Sequence, residues 1–413
     1  MNRVVITGIG ALTPLGNDAP TTWKNAVAGT LGIGPITRFD DADLKTHVAG
    51  ELKDFDPLDY LERSLLRKAD LFAQYAMVAA DEAIADAGGL KAIGVGPERF
   101  GAYVGSGTGG INTFYDNVVT IHERGPSRVS PHFITNMIIN MAAAHVAMRF
   151  DLQGPCLPIV TACATGTNAI GEAFRAISAG QADAIIAGGA EAALHPLTFA
   201  GFINCQALAL ADDPTQASLP FDERRTGFVI GEGAGLVVLE RADRAQARGA
   251  HIYAEVAGYG TTCDAYHLTA PNPEATTAGR AVALALDEAG LAGEEQLYIN
   301  AHGTGTPLND AMETKAFKLA LGDQLAHKVL ISSTKSMMGH TLGAAGGIEA
   351  IMAAKALETG DVPPTIGLSD PDPECDLDYV PGQARHADLV GALSTSFGFG
   401  GHNACLALRK GAL

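Results

Sequence analysis

The stretch that decides the architecture reads Ile159-Val-Thr-Ala-Cys163-Ala-Thr-Gly-Thr-Asn168-Ala-Ile-Gly-Glu-Ala-Phe174-Arg-Ala-Ile177. The apolar run Pro158–Thr161 predicts a buried strand. The small residues Ala162, Ala164 and Gly166 permit a sharp turn, and Thr167–Ala179, stopped by Gly180, reads as a helix. The same sequence of strand, polar turn and small-residue helix recurs at Ile331–Leu357. A strand running into glycine also occurs twice, at Ala102-Tyr-Val-Gly-Ser-Gly107 and at Tyr298-Ile-Asn-Ala-His-Gly303. Such self-similarity predicts two related halves, 1–250 and 251–413, meeting near Arg248–Ile252.

Working outward, further buried strands are expected at Arg3–Ile6, Phe100–Val104, Ala184–Ala187, Ala234–Leu239, Tyr253–Gly258, Leu297–Asn300, Val329–Ser332, Gly391–Ser394 and Ala404–Leu408. Further helices are expected at Leu71–Ala87, Thr277–Ala289, Ala311–Leu321 and Ile348–Glu358. Alternation of this kind predicts a layered α/β protein. The composition agrees: of 413 residues 47% are hydrophobic and 18% charged, enough for a large core, and 49 glycines serve tight turns and close packing. The net charge of −18 argues against general nucleic-acid binding while leaving room for a small basic patch facing one acidic partner. Six cysteines without C-x-x-C or zinc-finger spacing read as free thiols of a cytosolic chain. Met1–Gly16 reads as a strand and not as a signal peptide, and no apolar stretch reaches the roughly 18 residues of a membrane span.

Four motifs carry chemistry. Cys163 stands where a strand turns into a helix, so its sulfur is expected at a helix N-terminus, a position that favours a thiolate nucleophile. Asn300-Ala-His302-Gly-Thr304-Gly-Thr306-Pro307 puts a histidine at a strand's C-terminal end, where α/β sheets bind ligands. Its threonine hydroxyls could hold an amide-rich or phosphate-bearing arm. Ser332-Ser-Thr-Lys335-Ser-Met-Met-Gly-His340 adds a lysine and a second histidine, with Glu349 one possible partner for the lysine. The histidines lack metal-ligand spacing, so no catalytic zinc is expected. Ser396-Phe-Gly-Phe399-Gly-Gly-His402-Asn403 reads as a loop whose N–H groups can face a cavity, with Phe399 as a gate. Gly8-Ile-Gly10 and Gly105-Ser-Gly107-Thr-Gly109-Gly110 read as tight turns and not as nucleotide sites.

Together and in this order, the motifs resemble those of the β-ketoacyl-acyl carrier protein synthases of the thiolase superfamily, in particular the type II elongating kind. The likeness spans the chain from Val4-Val-Ile-Thr-Gly-Ile-Gly to Phe397-Gly-Phe-Gly-Gly. It implies a five-layered αβαβα thiolase-like fold made from a duplicated half, and a homodimer. It implies decarboxylative Claisen condensation with acyl and malonyl forms of acyl carrier protein as partners, needing no redox cofactor or ATP. Cys163 would carry the acyl group, His302 and His340 would donate to the malonyl thioester oxygen, and Lys335 would lend electrostatic support. The N–H groups of Cys163 and Phe399 would form an oxyanion hole. Thr304 and Thr306 would meet the phosphopantetheine arm, and Phe202 and Thr108 would lie near the acyl pocket. Arg67, Lys68, Arg124 and Arg128 would dock the acidic carrier. Asn300, Glu313, Glu349, Ser394 and Thr395 fall where related enzymes hold a structural monovalent cation. Thr395 departs from the usual Asn there, and His402 stands where many relatives have Thr.

Other readings of the same motifs are a stand-alone polyketide-type ketosynthase and a non-condensing chain-length-factor-like partner. Biosynthetic thiolase is disfavoured because a second catalytic cysteine has no counterpart in the Phe399–His402 loop, and a Cys-His hydrolase because no base-orienting Asn or Asp can be placed.

Overall fold

A computed structural model describes residues 1–411. Ten strands form the main sheet system: β1 (Val4–Leu12), β2 (Phe100–Gly105), β3 (Cys156–Leu157), β4 (Ala184–Glu191), β5 (Gly233–Arg241), β6 (Ala254–Cys263), β7 (Leu297–Asn300), β8 (Leu330–Ser332), β9 (Gly391–Gly398) and β10 (His402–Arg409). Their spatial order is β8-β7-β9-β10-β6-β1-β5-β4-β2-β3. Read from each edge to the centre, the two halves repeat one pattern. β3–β2–β4 and β8–β7–β9 are parallel, while β4–β5–β1 and β9–β10–β6 are antiparallel. Within the sheet the two halves join where Val4–Ile6 of β1 pairs with Ala254–Val256 of β6.

Eight helices matter to the layering: α1 (Leu71–Asp86), α2 (Ile111–Arg124), α3 (Met141–Phe150), α4 (Thr165–Ser178), α5 (Pro196–Asn204), α6 (Thr276–Ala289), α7 (Pro307–Leu321) and α8 (Ala345–Thr359). α1 and α3 cover one outer face, α6 and α7 the other, and α4 and α8 lie between the two five-stranded halves, touching both. Helices in the middle of such a stack bury nearly their whole circumference, and α4 and α8 do. Their first turns meet backbone to backbone: a Cβ on Gly166 would lie 2.5 Å from Gly347 N. The glycine-rich starts of the two helices are what this crossing requires. The expected five-layered αβαβα fold from a duplicated half is thus present.

Two features differ from expectation. The strand expected at Pro158–Thr161 is displaced to Cys156–Leu157, and residues 158–161 are unpaired and partly or fully exposed. Pro158 has no N–H to give a ladder, and Thr161 already serves the next turn, its N–H donating to Thr165 Oγ1 at 2.9 Å. Secondly, α2 is not among the expected helices; it buries none of its residues, and Phe114, Val118 and Ile121 stand exposed. No described helix is long and apolar enough to cross a membrane.

Candidate active site

The nucleophile position is built by a backbone turn. Thr161 ties its hydroxyl to Asn168 Oδ1 at 2.6 Å, Ala162 takes φ +50°, and the short turn Ala162–Ala164 feeds α4. This puts half-buried Cys163 on the first turn leading into the helix. The loop after β9 closes on it. The Phe399 N–H is near enough to draw the Cys163 thiol downward, and a Cβ on Gly398 would lie 2.7 Å from Thr161 O and 3.2 Å from Cys163 N. Glycine at 398 therefore lets the Phe399 N–H approach the elbow. Burial pushes the Cys163 thiol up to about 12, with Lys335 and the Phe399 N–H pulling downward. The resting group is a thiol and not the thiolate expected from the helix N-terminus, so acylation needs a proton acceptor.

Two histidines from the second half face the same cavity. His302 follows β7, with its N–H and that of Gly303 each donating to Glu313 at 2.7 Å. Its Nδ1 lies 3.4 Å from Lys335 Nζ. His340 is clamped by its backbone: its N–H donates to Val229 O at 2.7 Å and its carbonyl accepts from Gly231 N at 2.8 Å. His340 Nδ1 accepts from Leu342 N at 3.3 Å, so the ring proton sits on Nε2, which is buried and has no partner in the protein. The two rings cross at 87° with centroids 5.2 Å apart. Burial, aided by the Lys335 charge, holds both imidazoles well below their ordinary 6.5, so both are neutral at pH 7.

Lys335 is 2% exposed and ion-paired to buried Glu349. It is a core group beside His302 and not a surface lysine. A cavity of about 290 Å³ opens over this constellation, lined by Cys163, Phe228, His302, His340, Thr304, Thr306 and Phe399 among others. The Thr304 and Thr306 hydroxyls are 2.9 Å apart. Phe202 stands behind this wall, its ring centroid 5.3 Å from that of Phe228 and 6.1 Å from that of Phe399. Thr108 is not in the wall: its hydroxyl and N–H are both taken by Glu191, at 2.6 and 3.0 Å. His402 opens β10, opposite Cys263, and lies outside the lining.

Four residues of the expected cation site, Asn300, Glu313, Ser394 and Thr395, come together, while Glu349 pairs with Lys335. Ser394 pairs with Asn300 across β9 and β7. Thr395 Oγ1 donates to Glu313 at 2.9 Å. Asn300 Oδ1, Glu349 Oε2 and Ser394 Oγ are buried without a partner. Burial raises Glu313 to about 7. Amide, hydroxyl and carboxylate oxygens of this kind fit a hard cation of low charge. Among the described residues no group of three or more His, Cys, Asp or Glu forms a transition-metal cluster. Arg67, Lys68, Arg124 and Arg128 are all exposed. The Arg67 carbonyl accepts from Asn136 at 3.4 Å, which links the first pair to the segment after α2.

Sequence reading missed two buried carboxylates. Asp310, on the first turn of α7, accepts from the N–H groups of Phe221 (2.8 Å), Thr304 (3.1 Å) and Gly305, and so shapes the threonine loop. An acid just after Thr306-Pro307 was the available signal. Glu191, at the end of β4, had none beyond a charged residue inside an apolar run.

The comparisons with known proteins agree with this geometry. Residues 1–245 match the N-terminal domain of β-ketoacyl synthases and residues 253–369 the C-terminal domain. A 3-oxoacyl-[acyl-carrier-protein] synthase 2 of Synechocystis sp. is 50% identical over 409 residues, covering 99% of this chain and 98% of that protein. A crystal structure of a β-ketoacyl synthase from Burkholderia phymatum superposes with a TM-score of 0.92 at 36% identity, covering 99% of both chains. A type II polyketide acyl-carrier protein in complex with its ketosynthase, bound to the hexaketide, gives 0.91 at 33% identity, with 99% of both chains covered.

Proposed function

The chain belongs to the β-ketoacyl synthase family, and from that premise we propose how its site works. Its activity is decarboxylative Claisen condensation in fatty acid elongation: an acyl-enzyme and malonyl-acyl carrier protein give 3-oxoacyl-acyl carrier protein and carbon dioxide. Half identity over the full chain to elongating synthases favours this over the polyketide and chain-length-factor readings.

Cys163 attacks the acyl thioester of the carrier. The proton it gives up is taken by the departing pantetheine sulfur, which leaves as the thiol. Malonyl-carrier follows, its arm running past Thr304 and Thr306. His340 Nε2–H and the His302 ring donate to the thioester oxygen as the C–CO₂ bond breaks and an enolate forms. Donors fixed in advance stabilise this charge only as it develops, where the gain in rate lies. The enolate carbon attacks the acyl-Cys163 carbonyl, whose oxygen turns to the N–H groups of Cys163 and Phe399. Collapse expels the Cys163 sulfur and frees the 3-oxoacyl thioester. Loss of carbon dioxide drives the bond formation, so the steps use no redox cofactor or ATP.

The observation that carries the reading is the partnerless Nε2–H of neutral, buried His340 on the cavity that holds Cys163. Asn300, Glu313, Glu349, Ser394 and Thr395 would hold a monovalent cation, which would supply structural charge balance beneath the His302 loop. The basic residues Arg67, Lys68, Arg124 and Arg128 would meet acidic acyl carrier protein, and the enzyme would work in the cytoplasm. It would do so as a homodimer, a reading supported by the exposed edge strand β3, with Leu157 and Val160 about half exposed, and by the apolar, unburied face of α2. Mass spectrometry of the carrier-bound product tests the main reading. Wild type incubated with acyl- and malonyl-carrier yields a 3-oxoacyl chain two carbons longer, and Cys163→Ala yields none. No product from wild type at any acyl length would overturn it.

A further inference from the structure

Glu191 is fully buried at the end of β4, and every hydrogen bond it makes is to a neutral donor. One oxygen accepts from Ser106 Oγ (2.8 Å), Thr108 N (3.0 Å) and Thr108 Oγ1 (2.6 Å). The other accepts from Gly107 N (2.7 Å) and Gly343 N (2.8 Å). A carboxylate deprived of water and of a cationic partner is expensive to keep, and five donors in the right geometry are what make it tolerable.

The bond to Gly343 crosses from the first half to the second and ends on the turn that follows His340. A Cβ on Gly343 would lie 2.7 Å from the Glu191 carboxylate, so the glycine lets the two meet. The residue before it, Leu342, is held at φ +48°, and its N–H is the donor to His340 Nδ1. That N–H fixes the imidazole with its proton on Nε2. The chain of contacts is thus short: Glu191 to the Gly343 N–H, one peptide back to the Leu342 N–H, and from there to His340.

We propose that Glu191 is a positioning residue for decarboxylation, clamping the Leu342–Gly343 turn so that His340 presents its Nε2–H to the malonyl thioester. It touches no substrate itself, since the cavity lining does not include it. The inference rests on His340 being a donor to that thioester, and the experiment separates the two claims.

The two half-reactions are measured apart on Glu191→Ala, Glu191→Gln and a His340→Ala reference. Acylation of Cys163 is followed by intact mass, and carbon dioxide release by labelled malonyl-carrier. Both rates are taken per Cys163 titratable by iodoacetamide and well below each variant's melting midpoint, so that misfolded protein does not count. His340→Ala loses carbon dioxide release in either case if the donor reading is right. Glu191→Ala then lowers carbon dioxide release about tenfold to a hundredfold, the scale of a misplaced catalytic group, while acylation stays within about threefold. Glu191→Gln, which keeps the volume and can still accept from Gly343, recovers part of the loss. Parallel loss of both half-reactions, or no loss of carbon dioxide release while His340→Ala loses it, overturns the role of Glu191. An unaffected His340→Ala overturns the donor reading instead. If Glu191→Ala does not accumulate folded, the ratio in Glu191→Gln decides by the same criterion.

Discussion

The molecule contains the same elbow twice. In the first half Ala162 at φ +50° leads through Cys163-Ala164 into α4; in the second, Leu342 at φ +48° leads through Gly343-Ala344 into α8. Backbone path, short turn and following helix correspond, yet the central residue is a nucleophile in one and lacks a side chain in the other. The difference lies in what each turn faces. Cys163 looks into the cavity beneath the Phe399 loop, whereas Gly343 is pressed onto Gly107 and the Glu191 carboxylate, with no room for a Cβ. Duplication supplied two places for a reactive group. The second was given over to support, and the second half contributes the histidines instead.

This division is broken most directly at the two catalytic ends. Cys163→Ala removes the acyl carrier and costs condensation at least about a thousandfold. It leaves carbon dioxide release from malonyl-carrier in place, because the donors belong to the other half. His340→Ala does the reverse, lowering carbon dioxide release roughly a hundredfold to a thousandfold, the loss typical of one oxyanion donor, while Cys163 still takes up the acyl group. Intact-mass detection of acyl-enzyme beside a carbon dioxide assay distinguishes them, and equal loss of both steps in either variant would refute the division.

The elbows should also differ in what a methyl group does to stability. Gly343→Ala forces a Cβ to within 2.4 Å of Gly107 N and 2.7 Å of the Glu191 carboxylate. Overpacking of that kind destabilises by about 1 to 3 kcal/mol. Cys163→Ala removes one half-buried sulfur and is expected to stay within about 1 kcal/mol of wild type. Denaturant midpoints at fixed protein concentration compare the two, and an unaffected Gly343→Ala would mean the second elbow is loose.

A smaller effect follows from the histidines. Burial holds His302 and His340 well below 6.5 in the folded chain, so the unfolded chain takes up protons first as pH falls. The stability tied to each is full above pH 6.5 and is lost downward at up to about 1.4 kcal/mol per pH unit. Glu313, raised to about 7, acts oppositely: its folded form binds its proton first, so its contribution is lost as pH rises from its ordinary 4.5 toward 7. His340→Gln should therefore flatten the fall in stability between pH 6.5 and 5.5 by about one proton's slope relative to wild type. An unchanged slope would mean that His340 titrates as if exposed.

Much of this was legible in the sequence because the determinants are local. The strand end followed by His302, the small-residue turn that carries Cys163, and the small residues where α4 and α8 cross are written in neighbouring positions. The duplicated strand-turn-helix units gave the layering for the same reason. What was not legible depends on contacts across the chain. Glu191 is an acid in an apolar run until the fold brings Gly343 against it, and Asp310 is a helix-start acid until the threonine loop folds over it. The contact of the Thr108 hydroxyl with Glu191 was hidden for the same reason. The apolar stripe Phe114, Val118 and Ile121 of α2 did not reveal burial, because within one copy of the chain nothing covers it.

The smallest predicted effect concerns Ala162, where strain and chemistry can be told apart. A left-handed conformation costs an L-residue roughly 1 to 2 kcal/mol, and glycine removes that cost while adding about 0.5 to 1 kcal/mol of unfolded-chain freedom. Ala162→Gly should therefore stabilise the protein by no more than about 1.5 kcal/mol. The Thr161 hydroxyl and N–H, bonded to Asn168 and Thr165, still fix the approach to the elbow, and the Phe399 N–H still lies near the sulfur. Acylation of Cys163 should thus change by less than about threefold, since hydrogen bonds and not alanine's strain set the position of the sulfur. A larger loss of acylation, with the protein no less stable, would show that the strained alanine itself aims the nucleophile.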